Sequence, residues 1–88
     1  MKIMVVCGNG LGSSFIMEMN VKKALTEMKK NAEVDHTDLA SARTVQADLF
    51  IGAADIVGQL DDGTRTIVTL ENMMSIVEIK SKIEPHLA

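Results

Sequence analysis

The sequence predicts an α/β fold built on a four-stranded parallel sheet with helices on both faces. Short continuous apolar runs at Ile3-Met4-Val5-Val6, Leu49-Phe50-Ile51 and Thr66-Ile67-Val68-Thr69-Leu70 carry the signature of strands buried on both faces. Segments of helical period alternate with these runs, and turn-forming stretches close them, which is the pattern of a parallel sheet covered by its crossover helices. Eighty-eight residues suffice for one core and fall far below the length at which a chain divides. Residues 1–88 are therefore expected to form a single domain.

The first run ends at Val6, and Cys7 takes the first position of the glycine-rich loop that follows. Beyond it Met17, Val21, Ala24, Leu25 and Met28 recur at i, i+4, i+7, i+8 and i+11, while Glu18, Lys22, Lys23, Glu27 and Lys29 fill other positions. This is an amphipathic helix beginning near Ser13 or Ser14. From Ala32 to Leu39 the chain alternates, with Val34, His36 and Asp38 on one side and Glu33, Asp35 and Thr37 on the other, as in a more exposed edge strand. Between the third and fourth strands, Gly52 to Gly63 leaves room for a short helix and an Asp-Asp-Gly turn. Ile76, Ile79 and Ile83 then mark a C-terminal helix that ends near Pro85, and Ser75 with Glu78 gives it a capping-box start.

Composition narrows the function classes. With 47% hydrophobic residues and one proline, the chain can bury enough apolar surface to fold throughout. Nine Lys+Arg against 12 Asp+Glu, with neither sign gathered in a block, provide no basic footprint for nucleic acid. A lone cysteine cannot form an internal disulfide, so a cytoplasmic location is expected. The opening apolar run is too short for a signal peptide or a membrane span, and direct membrane insertion is not expected. The seven methionines are read as flexible core filler, and no internal repeat appears.

The chemistry concentrates in Cys7-Gly8-Asn9-Gly10-Leu11-Gly12-Ser13-Ser14. In an open parallel sheet, ligands bind outside the carboxyl ends of the strands, where the loop after the first strand lies. Alternating glycines let the backbone approach a ligand closely, so that successive N–H groups can converge on an anion. The following helix presents its unpaired N–H groups and positive dipole end to the same place, and Ser13 and Ser14 can add hydroxyl donors. That field also favours a thiolate, drawing the cysteine pKa from about 8.5 toward neutrality. The bland alternative is that Cys7 is a small buried hydrophobe closing the strand. Its neighbourhood favours the nucleophile.

Other phosphate chemistries fit less well. The glycines match neither G-x-G-x-x-G nor G-x-x-x-x-G-K-[ST], which disfavours nucleotide binding. A cysteine opening such a loop also resembles a low-molecular-weight protein tyrosine phosphatase, but that pattern has an arginine six residues on, where this chain has Ser13. Without a guanidinium fork on the equatorial oxygens, efficient phosphate hydrolysis is not expected. His36 and His86 are read as ordinary polar residues, and no metal-ligand cluster is apparent. Asp55 and Gln59, in the short helix, and Asn72, after the fourth strand, fall near strand ends and are read as solvated or capping groups. No cofactor is expected.

Val5-Val6-Cys7-Gly8-Asn9-Gly10-Leu11-Gly12-Ser13-Ser14 resembles the phosphorylation loop of the IIB components of the sugar phosphotransferase system, with the ascorbate-type branch as the nearest match. Ala47-Asp48 and Glu71-Asn72-Met73-Met74-Ser75 are similar to that branch as well, so the resemblance covers essentially the whole chain. It implies a Rossmann-like, three-layer fold of the kind seen in low-molecular-weight phosphatases. It also implies that Cys7 accepts a phosphoryl group from a phosphohistidine of the IIA component and passes it to a sugar held by the membrane component IIC. Leu11 stands where a glutamine is common in the ascorbate branch, so the resemblance leaves the sugar open. A cysteine phosphatase, or a thiol-based redox or interaction module without a resolving cysteine, stands as the alternative reading.

Overall fold

In the computed structural model, which describes residues 1–7, 13–71 and 75–87, four strands form one all-parallel sheet. They are β1 (Lys2–Cys7), β2 (Glu33–Asp38), β3 (Leu49–Ala53) and β4 (Ile67–Leu70), in the spatial order β2-β1-β3-β4. The register sets Val5 beside His36 and Ile51, and Ile51 beside Val68. The apolar runs at Ile3 and Leu49 thus become the two central strands, buried on both faces as their lack of alternation required. Charge-rich β2 takes an edge, with Val34 its one buried side chain.

Helices α1 (Ser13–Glu27) and α4 (Ile76–Ile83) cover one face. Their Met17, Val21, Ala24, Leu25, Ile79 and Ile83 pack on Ile3, Val5, Leu49 and Ile51, which bears out the period read from the sequence. The short helices α2 (Leu39–Ala42) and α3 (Ala54–Val57), with a 3₁₀ turn at Gly58–Leu60, cover the other face over Met4, Val6 and Phe50. Ser75 caps α4 by accepting the Glu78 N–H, while the Glu78 carboxylate accepts the N–H of Glu71 at the end of β4. The Asp-Asp-Gly turn also forms: Gly63 adopts φ 86°, and Asp62 accepts from Thr64. Helix α4 stops at Ile83 and continues as a 3₁₀ turn at Glu84–His86, with Pro85 inside it.

Several strand boundaries differ from the sequence reading by one or two residues, and those of β3 and β4 bear on the sheet's geometry. Thr66 lies just outside β4, although its carbonyl still accepts the Phe50 N–H at 2.9 Å. Gly52 belongs to β3 rather than to the turn that follows, and the sheet geometry explains why. A Cβ at Gly52 would lie 2.6 Å from the Val6 carbonyl oxygen, a backbone atom that cannot swing aside. Glycine therefore permits the close approach of β1 and β3 immediately before the end of β1. Gly52→Ala is expected to cost about 1–3 kcal/mol through that overlap, read as a lower urea midpoint at unchanged slope. An unchanged midpoint would show that the two strands can part without penalty.

Candidate active site

The strand order creates the place for a site. The chain leaves β1 toward β2 and leaves β3 toward β4, in opposite lateral directions, so a crevice opens outside the carboxyl ends of β1 and β3. Cys7 is the last residue of β1 rather than the first of the loop, because it still pairs with Asp38 of β2, and it therefore stands at this switch point. Helix α1 starts at Ser13, only six positions later, which returns its N-terminal end to the head of the same strand. Fifteen residues long, α1 has no acidic residue in its first turn to occupy the positive end of its dipole. Gly8, Asn9, Gly10, Leu11, Gly12 and Asn72 lie outside the described residues, as do the side chains of Cys7, Ser13 and Ser14.

Around Cys7 the other strand ends supply mostly structural groups. Asp38, paired with Cys7 in the register of β1 and β2, caps α2: its Oδ1 accepts the Ser41 N–H at 2.7 Å. Hydrogen bonds from Ser41 hold the Asp38 carboxyl below its ordinary range. A depressed carboxylate stabilises the fold above its unfolded pKa and loses that contribution as pH falls through its folded pKa. Stability should therefore decline as pH drops below about 4, and Asp38→Asn should flatten that decline, as urea midpoints across the acid range would show. An equally steep decline in the variant would assign the acid sensitivity elsewhere.

The remaining polar candidates separate. Asp55 is exposed in the first turn of α3, and the Gln59 amide donates back to the Asp55 carbonyl at 2.9 Å, so both have the local roles expected of them. His86 lines a cleft with Met1, Lys30, Asn31, Asp48 and Leu87. That cleft lies at the amino end of the sheet, away from Cys7.

His36 is less isolated than the sequence suggested. Its Nδ1 contacts Oε1 of Glu18 on α1, and its ring meets Phe15 edge-on, with centroids 6.3 Å apart. Glu18, placed by spacing on the polar side of α1, is only 8% exposed and is also paired with Lys22 at 2.8 Å. Hydrogen bonding from Lys22, opposed by burial and helped by His36, holds its carboxyl below the usual range. A second feature lies outside the buried stripe: Phe15, Ile16 and Met19 expose 54%, 45% and 55% of their surface on the first two turns of α1. These three large apolar side chains lie open to solvent near the N-terminus of α1. The available signal was that these apolar residues fall off the Met17-Val21-Ala24 stripe.

Comparison with known proteins gives one consistent result. Residues 2–85 match the family described as PTS system, Lactose/Cellobiose specific IIB subunit. The chain is also 34% identical to proteins named "Ascorbate-specific PTS system EIIB component" from Salmonella choleraesuis (strain SC-B67), Escherichia coli O157:H7 and Shigella flexneri. Each of these alignments covers 93% of this chain and 84% of the relative.

Proposed function

Since this chain belongs to the lactose/cellobiose-specific IIB family of the phosphotransferase system, and is a phosphotransferase in sugar transport, we propose that Cys7 is the residue that carries the phosphoryl group. The observation that carries the proposal is the position of the chain's single cysteine. It ends β1 at the switch-point crevice, directly before the segment that leads into the N-terminus of α1. Asp38, at the neighbouring strand end, is committed to its cap.

The chemistry then runs in two in-line displacements. The Cys7 thiolate attacks phosphorus on a phosphohistidine of IIA, an S–P bond forms, the N–P bond breaks, and the imidazole nitrogen takes up a proton. Next a sugar hydroxyl attacks the same phosphorus, loses its proton, and the S–P bond breaks to return the thiolate. Phosphoryl transfer passes through a loose transition state, so positioning and charge stabilisation do most of the work. Backbone N–H groups from Gly8 to Ser14 would hold the equatorial oxygens, with Asn9 fixing the loop or donating its amide. Ser13 in place of an arginine removes the guanidinium clamp that favours hydrolysis, which suits a relay that must not lose its phosphoryl group to water.

Two partners follow: the phosphohistidine-bearing IIA, and the membrane component IIC with its bound sugar. The exposed Phe15, Ile16 and Met19 form the rim on which they dock in turn. Among the described residues no helix is long and apolar enough to cross a membrane. The chain acts in the cytoplasm as one domain, without a cofactor. The relatives named above favour ascorbate as the sugar. Reconstitution with phosphorylated IIA and IIC-containing vesicles, offering ascorbate or cellobiose, tests this reading: phosphorylated ascorbate is expected, and transfer to cellobiose alone would overturn the sugar assignment.

A further inference from the structure

We infer that Glu18, Asp35 and His36 form a binding site for a divalent transition ion of the zinc class, at the open edge of the sheet between α1 and β2. One carboxylate oxygen from each acid and a ring nitrogen of His36 all lie within 4.8 Å of one another. Ligand atoms around a common zinc ion sit roughly 3–3.5 Å apart, given bond lengths near 2.0–2.1 Å, so small side-chain rotations bring these three to a single ion. Imidazole with carboxylates is a donor set that suits zinc and its neighbours better than it suits calcium or magnesium.

One carboxylate oxygen, Asp35 Oδ2, is open to an ion, and a second, Glu18 Oε1, is held only by the His36 ring that would ligate beside it. Glu18 turns Oε2 to Lys22 and Oε1 to His36 Nδ1. Asp35 uses Oδ1 to accept the His36 N–H at 2.8 Å, and its Oδ2 remains for the ion. Neighbouring strand residues normally face opposite sides, but β2 is paired only with β1, so the Asp35 side chain can fold around the free edge. An ion entering between Glu18 and His36 displaces the proton they share, which leaves to solvent, and Nδ1 becomes a ligand. Lys22 stays on Oε2 and orients the carboxylate, while Phe15 meets the imidazole edge-on. The open side of the edge strand admits water to complete the coordination.

Zinc titration by calorimetry, in the full-length Cys7→Ser variant, removes the competing thiol and tests the site without reference to phosphoryl transfer. One-site binding with Kd on the order of micromolar is expected, weakened at least about tenfold in both His36→Gln and Glu18→Gln, and unchanged in His86→Gln. His36 is exposed, so His36→Gln decides the matter if Glu18→Gln fails to fold. Absence of saturable binding below about 1 mM, or a loss smaller than tenfold in His36→Gln, would overturn the site.

Discussion

Cys7→Ser should abolish phosphoryl acceptance from phosphorylated IIA, with transfer to sugar falling by at least about a thousandfold. Serine preserves size and hydrogen bonding but remains a neutral hydroxyl near pH 7, whereas a cysteine near a helix N-terminus is favoured as the thiolate. The chain has no second cysteine to substitute for it. The variant's urea midpoint should stay near that of the parent, so lost transfer with retained stability separates chemistry from folding. A variant that still relays phosphate at a comparable rate would remove Cys7 from the mechanism.

The second large effect concerns the scaffold. Phe50 is 1% exposed on central β3, packed with Met4, Val6, Val57 and Leu60, and lies beneath the Arg65 guanidinium at 5.6 Å. Arg65 also donates to the carbonyls of Leu60 and Arg43, so this one cluster joins the end of α2 to the turn after α3. Phe50→Ala should cost about 3–5 kcal/mol by loss of buried surface and by the cavity left behind. Folded domains have only about 5–15 kcal/mol in total, so much of the variant should be unfolded at modest urea concentrations. A loss below about 1 kcal/mol would mean that the α2 and α3 layer collapses into the space.

Strands β1, β3 and β4 and the buried stripe of α1 were legible because burial on two faces and a 3.6-residue repeat leave direct traces in residue order. The role of Gly52 was not, since a glycine after an apolar run reads equally as a turn. Only the approach of Val6 from a strand distant in sequence shows that it must lie inside β3. Glu18 was assigned to the solvated side of α1 because periodicity knows nothing of the edge strand that brings His36 against it. For the same reason no ligand spacing announced Glu18, Asp35 and His36 as a group: they come from two elements and meet only in the folded sheet. The close of β1 and the start of α1 six residues later were legible because an apolar run, a glycine-rich stretch and a helical repeat are consecutive in the chain.

Mass mapping of the full chain after incubation with phosphorylated IIA tests the assignment of Cys7 most directly. A gain of about 80 Da confined to the peptide bearing Cys7, discharged when IIC and sugar are added, is the result expected of a phosphocysteine relay. A competent donor that leaves Cys7 unmodified, or that places the phosphoryl group on another residue, would contradict it.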